Sequence, residues 1–233
     1  MNMKNETVGN LPENVSSEFN HGRAGMRSVV FAALALWLGL VSFLGYQGAF
    51  VGRADLPPLA IFLGVAVPLA VFFAAYHGWG AFRAFVLGAD LRLVTAIQAW
   101  RWGGLGFLAL YAHGVLPGLF AFPAGLGDMA VGITAPWIML GLIRNPSFAA
   151  SRRFVVWNIM GIVDFVVAVS MGTICSGFLH GVALNVTTSA LAQLPLVLIP
   201  AYMVPFFAML HFTALFQARQ LARSGKSARA LNG

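Results

Sequence analysis

Charge is scarce in this chain: 9% of its 233 residues are charged and 59% are hydrophobic. A soluble globular domain carries about 25% charged residues. The mean hydropathy is +0.82, and the apolar residues fall into runs of about 20, the length at which an α-helix crosses a ~30 Å hydrocarbon core. A soluble core could not absorb six such runs in so short a chain. We therefore predict an all-α integral membrane protein.

Reactive side chains are also few. Cys175 is the sole cysteine, which excludes an intramolecular disulfide and any CxxC or CxxCH motif. The two lysines, Lys4 and Lys226, lie in the end segments, so no lysine in the apolar runs could carry a retinal Schiff base. The chain has no HExxH motif, no glycine-rich phosphate loop with a lysine and no GxSxG elbow. No metal site is predicted, and no motif specifies a chemistry.

Six apolar runs predict six transmembrane helices joined by short loops. The fourth follows an outer turn predicted at residues 122–125, where Pro123 and Gly125 stand close together. Residues 1–27 are polar and predict a disordered cytoplasmic tail, residues 28–217 the six-helix bundle, and residues 218–233 a basic cytoplasmic tail. The predicted spans are 28–47, 59–76, 102–121, a fourth ending at Ile143, 154–176 and 195–217.

The segment 77–101 has apolar residues at helical spacing, among them Leu93 and Trp100, on one face. Gln98 lies off that face. This pattern is typical of an amphipathic helix in the membrane interface. Such a helix would either precede the third span or be continuous with it.

The positive charges indicate the orientation. All of the 14 lysines and arginines except Arg53 fall in alternate gaps between the runs, as the positive-inside rule requires if both ends lie in the cytoplasm. Topology thus accounts for the net charge of +7, and no nucleic-acid partner is predicted. Short loops and helices rich in alanine and glycine favour a bacterial inner membrane.

Asp164 is the first candidate functional residue. It lies about 15 Å into the fifth span by helical rise, where a charge costs at least ~2.5–3.5 kcal/mol on insertion scales. It shares a face with Asn158 and with small residues, so we expect it to point into the bundle. Arg101 is its counter-ion if the third helix begins near Leu91. If that helix begins at Trp102, Arg101 is instead an interfacial anchor.

Three more residues are candidates for binding. His211 lies about 9 Å from the inner end of the sixth span, in which prolines recur every five residues. These prolines are expected to kink the helix and free backbone carbonyls, either for binding or only for packing. His113 lies in the outer half of the third span. Asp128 stands near the start of the fourth span, where it could simply cap the helix.

The loops leave no room for a separate domain, so any activity lies in the bundle. We interpret the chain as a small transport or binding bundle for an ion, a proton or a small amphipathic solute. One alternative is a lipid-modifying or haem-type redox enzyme in the membrane. Another is an accessory subunit of a membrane complex. Each of these functions is compatible with a homo-oligomer. A b-type haem between His113 and His211 is disfavoured, because their depths differ by about 10 Å. The predicted binding residues are Asp164, Arg101, His211, Asn158, His113 and Asp128.

Overall fold

The computed structural model describes residues 13–53, 56–178 and 185–231, and the fold over these ranges is all-α. Two 3-10 turns, Pro146–Ala150 and Thr188–Ala192, lie in loops, and a third, Gln98–Gly104, joins two helices. A π-helical turn, Ile199–Met203, leads into the last helix. The α-helices are α1 Glu13–Tyr46, α2 Leu59–Gly78, α3 Gly80–Leu87, α4 Leu91–Ile97, α5 Leu105–Ala112, α6 Gly118–Arg144, α7 Arg152–Ile174 and α8 Val204–Leu231.

Five helical stretches are long and apolar enough to cross a membrane. Large apolar side chains stand exposed on them, for example Leu36 at 77% and Trp137 at 64%. An apolar surface of this kind is stable in contact with lipid tails and unfavourable in contact with water. The chain is therefore an integral membrane protein. The five stretches are Gly25–Tyr46, Leu59–Gly78, Gly118–Arg144, Arg152–Ile174 and Ile199–Ser224.

The first and last helices extend into the predicted tails. Helix α1 begins at Glu13 and α8 continues to Leu231, so both are longer than the apolar runs within them. Residues 1–12 of the predicted N-terminal tail lie outside the described residues.

The predicted third span, 102–121, is wrong as a continuous helix. Helix α5 ends at Ala112, and the chain turns through Gly114 and Pro117 before α6 begins. The predicted outer turn at residues 122–125 lies inside α6. Proline and glycine break helices in water, but within a membrane bundle neighbouring helices and local adjustments satisfy the freed backbone groups. That is why Pro123 was misread as a turn signal.

In place of that span, residues 91–112 form a segmented helix made of α4, the 3-10 turn Gln98–Gly104 and α5. It lies antiparallel along α6. Val94 at its start shares a core cluster with Leu142 near the end of α6, and Phe107 meets Phe120 edge-on at 5.3 Å between ring centroids. At helical rises the segmented helix is about 36 Å long, comparable with the hydrocarbon thickness.

The segmented helix turns polar side chains toward the protein and leaves apolar ones of the predicted apolar face exposed. Gln98, which lies off the apolar face, is 1% exposed, and its Nε2 donates to the Phe207 carbonyl at 3.1 Å. Leu93 and Trp100, on the predicted apolar face, are 61% and 77% exposed. Within a membrane apolar side chains face lipid, and polar side chains turn inward to find partners.

Of the prolines in the last span, Pro200 lies within the π-helical turn and Pro205 follows it. Val204 N–H donates to the Ile199 carbonyl, five residues back, and Pro200 and Pro205 are spaced by the same five residues. A proline lacks the amide that would bond to the preceding turn, so the wider turn is consistent with this spacing. The predicted kink of this helix stays a prediction.

Gly132 sets the distance between the segmented helix and α6. A Cβ at this position would lie 2.3 Å from the Trp102 backbone nitrogen and 2.9 Å from the Arg101 carbonyl carbon. Backbone atoms of a packed turn cannot move aside as a flexible side chain can. A residue without a side chain is therefore needed for this close approach.

We expect Gly132→Ala to lower the free energy of unfolding by roughly 1–3 kcal/mol through overpacking. Gly106→Ala is the matched control, because a Cβ there meets nothing within 4 Å, and it should be neutral or slightly stabilising. Thermal unfolding in detergent measures both. Equal stability of the two variants would contradict the close packing described here.

Candidate functional site

The site is centred on the Arg101 side chain, which is 1% exposed. Its Nε donates to Asp128 Oδ1 at 2.7 Å, and its Nη2 donates to Asp164 Oδ2. The two aspartate side chains are 18% and 10% exposed. We call Arg101, Asp128 and Asp164 the charge cluster. It joins the segmented helix to α6 and α7.

A neutral histidine completes the guanidinium's hydrogen bonds. Arg101 Nη1 donates to the Gly161 carbonyl at 3.2 Å and lies 3.0 Å from His211 Nε2. Because a guanidinium can only donate, His211 Nε2 must accept. His211 Nδ1 lies 2.9 Å from Asn158 Oδ1, and Asn158 Nδ2 donates to the Phe154 carbonyl. That amide orientation makes Oδ1 an acceptor, so His211 carries its one proton on Nδ1.

Packing holds this arrangement in place. The Arg101 Cζ lies 3.9 Å from the Phe165 ring centroid, which adds a cation–π contact. Trp157 meets the His211 ring edge-on at 5.5 Å. A Cβ on Gly161 would lie 2.2 Å from His211 Nε2, so the imidazole reaches the guanidinium because that position is glycine.

Five of the six predicted binding residues lie together: Arg101, Asp128, Asn158, Asp164 and His211. Of the two alternatives for Arg101, the structure has the first, because the segmented helix begins at Leu91. The interpretation of Asp128 as a helix cap is wrong, since it lies well inside α6. The misplaced turn at residues 122–125 was the cause of that error.

The sixth predicted residue, His113, lies apart from the cluster. It is exposed at the end of α5, and its Nδ1 bonds to the Ala109 carbonyl at 2.8 Å. Both ring nitrogens of His211 are engaged. The two histidines therefore do not fit a bis-histidine haem. No group of three or more histidine, cysteine or acidic side chains among the described residues has the arrangement of a metal site.

A cavity of about 600 Å³ reaches the charge cluster. Asp128 lies in its wall, together with three phenylalanines that the sequence analysis did not single out, Phe107, Phe120 and Phe165. At its other end the lining comes from loop residues, including Gly52 and Ser189. No sequence periodicity marks these phenylalanines, because the cavity is enclosed by residues from several distant segments.

Two buried polar atoms lie on the segmented helix before Arg101. Thr95 and Gln98 are each 1% exposed, and neither Thr95 Oγ1 nor Gln98 Oε1 has a hydrogen-bond partner among the described residues. Farther along, Gln217 Nε2 donates to the carbonyls of Val86 and Ala89 at 2.9 and 3.0 Å. Sequence reasoning missed Thr95 and Gln98, although an amide within an apolar run was a usable signal.

Residues 58–219, more than half of the chain, match the family described as a domain of unknown function (DUF8737). The chain belongs to the DUF8737 family. The matched DUF8737 region includes the whole charge cluster and its histidine, and it leaves α1 outside. No curated protein sequence and no solved structure matches the chain. Membership of the DUF8737 family therefore carries no activity with it.

The charge cluster predicts non-additive effects of substitution. Asp128→Asn or Asp164→Asn alone leaves Arg101 paired with one carboxylate, so each should cost less than about 1 kcal/mol. The double variant leaves the guanidinium buried and unpaired, which should cost roughly 3–5 kcal/mol. Adding Arg101→Gln to the double variant should recover most of that loss.

Unfolding free energies in detergent measure these effects. The matched control is Asp90→Asn, which alters an ion pair to Arg92 whose side chains are 55% and 60% exposed and which should cost less than about 1 kcal/mol. If the effects of the two single substitutions simply added, Arg101 would not depend on both carboxylates.

Proposed function

We propose that this protein is a membrane-embedded transport or binding bundle that takes up a proton or a small cationic solute at the charge cluster. The supporting observation is a buried cluster with more negative than positive groups, in contact with a cavity. The proposal includes six membrane crossings with both chain ends in the cytoplasm. The cavity then opens on the outer side.

The charge balance supports the choice of ligand. Arg101 contributes one positive charge, Asp128 and Asp164 contribute two negative charges when ionised, and His211 is neutral by its hydrogen bonds. An excess negative charge within a membrane costs several kcal/mol. A proton on one carboxyl group or a bound cation removes that cost. Exchange of this positive charge is the proposed activity.

The packing supports six crossings. The segmented helix lies antiparallel along α6, one of the five apolar stretches, from Val94 beside Leu142 to Phe107 beside Phe120. A helix that follows a membrane span along this length also crosses the membrane. Arg101 then lies within the bilayer, and every other lysine and arginine except Arg53 falls in an inner gap.

A route inward from the cluster supports transport in addition to binding. Gln98 and Thr95 precede Arg101 on the segmented helix and therefore lie toward its cytoplasmic end in the proposed orientation. Their buried polar atoms lack partners among the described residues. Buried groups of this kind are usually satisfied by internal water. Water at these positions would connect the cluster with the inner side.

Infrared spectroscopy of the purified protein tests the proposed charge balance. In buffer whose only cation is too large for the cavity, wild type should show the carbonyl band of one protonated carboxylic acid per chain at neutral pH. Asp128→Asn and Asp164→Asn should each abolish it, because one carboxylate then balances the one guanidinium. The control Asp90→Asn should leave it unchanged. Absence of the band in wild type, with no cation found by native mass spectrometry, would refute the proposal.

Thiol labelling tests the outward opening. In a Cys175→Ala background, we expect Ala168→Cys, which lines the cavity, to react in spheroplasts with a membrane-impermeant thiosulfonate. Ser189→Cys in the outer loop should react equally. Ser224→Cys near the inner end of α8 should react only after lysis.

The two control positions separate the ways in which this prediction can fail. If Ser189→Cys reacts from outside and Ala168→Cys does not, the cavity does not open outward. If Ser224→Cys reacts from outside and Ser189→Cys only after lysis, the proposed orientation is reversed.

A further inference from the structure

The cavity above Asp128 indicates which kind of cation the site takes. We infer that it binds an amphipathic organic monocation, with the ammonium group at the Asp128 carboxylate and the hydrocarbon part between Phe107, Phe120 and Phe165. This inference rests on the proposed function and specifies its ligand. It selects one solute class from the ion, proton and amphipathic solute that the sequence left open.

The size and walls of the cavity fit an organic ligand better than a proton or a metal ion. Its volume of about 600 Å³ falls within the roughly 300–1,000 Å³ of typical small-molecule sites. A proton needs no such space, and a bare metal ion needs a shell of oxygen ligands. Besides Asp128, the lining includes the three phenylalanine rings, Ala168 and Gly172, and its loop part includes Arg53 and several hydroxyl groups. The apolar part of the wall fits a hydrocarbon group.

The Asp128 carboxylate has an acceptor available for an ammonium group. Its Oδ1 accepts from Arg101 Nε, whereas no hydrogen bond to its Oδ2 is formed by the described residues. The side chain keeps 18% exposure and lines the cavity. An ammonium group supplies both the missing donor and the missing positive charge, with a charge-assisted hydrogen bond. A carboxylate ligand would meet two negative groups, and an alcohol would leave the excess charge unbalanced.

Two small residues of α7 leave space in the cavity that a larger side chain could fill. Gly172 and Ala168 lie on the cavity wall one turn apart, and a Cβ on Gly172 would meet nothing closer than Phe120 Cε2 at 3.5 Å. The backbone therefore tolerates a larger residue at position 172, whose side chain would occupy the cavity. Such a substitution does not alter the charge cluster. A loss of binding would therefore show that the ligand occupies the cavity.

Equilibrium binding of labelled hexylammonium to the whole protein in phosphatidylcholine nanodiscs tests the inference, with empty nanodiscs measuring partition into lipid. We expect saturable binding to wild type. Unlabelled 1-hexanol, which has the same chain without the charge, should compete roughly tenfold or more less well, and hexanoate should not compete. Saturating hexylammonium should also remove the infrared band of the protonated carboxyl group, because the ammonium replaces the proton.

Three variants locate the binding. Asp128→Asn should weaken hexylammonium binding roughly tenfold or more through loss of the charged acceptor. Gly172→Leu should weaken it to a similar extent by filling the cavity while leaving the infrared band in place. Gly106→Leu is the matched control, since Gly106 is exposed on α5 with nothing within 4 Å of its Cβ position, and it should bind as wild type does.

The outcomes separate this inference from the proposed function. Equal competition by 1-hexanol, or binding that Gly172→Leu does not change, would overturn the inference of an organic cation in this cavity. If hexylammonium does not bind while the infrared band is present and responds to the Asn substitutions, the inference falls and the proposed proton site stands. If the band is absent and no cation is bound, the proposed function itself fails.

Discussion

The burial of one guanidinium between two carboxylates is the interaction on which the rest of this structure depends. Arg101 is 2% exposed within a chain whose long helices face lipid. Removing such a charge from water costs several kcal/mol even after relaxation, and the cost is offset only when the geometry satisfies the hydrogen-bonding groups. Asp128, Asp164, His211 and the Gly161 carbonyl do so from three helices.

This requirement explains the irregular parts of the fold. The segmented helix passes through a 3-10 turn at Gln98–Gly104 and comes so close to α6 that Gly132 has no room for a side chain. On the other side, Gly161 lets the His211 ring reach the guanidinium. Helices with larger residues at these two positions would stand farther apart, and the charged groups would lose their hydrogen bonds. The burial of the charged groups therefore depends on the close packing of the helices.

The surroundings of the cluster are not uniform. The cavity brings Asp128 into contact with open space lined by aromatic rings. Before Arg101 on the segmented helix, Thr95 and Gln98 are buried polar groups with unpaired atoms among the described residues. A purely structural ion pair needs neither feature, since a sealed apolar shell would stabilise it equally well. These two features favour a site that exchanges a ligand over one that only holds helices together.

Properties that depend on local composition could be predicted from the sequence. A charge in hydrocarbon is costly wherever it occurs, so Asp164 had to turn inward, and Arg101 could be named as one of its potential partners. The runs of apolar residues likewise established the membrane class. The family match to DUF8737 adds no activity to these conclusions.

Only the tertiary structure decided which polar groups meet. Asp128 seemed to stand at a helix start because Pro123 and Gly125 resemble a turn, yet neighbouring helices let α6 continue through both residues. The amphipathic pattern placed Gln98 off the apolar face but could not show that it meets the Phe207 carbonyl, which comes from a distant helix. The cavity is enclosed by segments far apart in the chain, and its shape follows from their packing, which local sequence patterns do not encode.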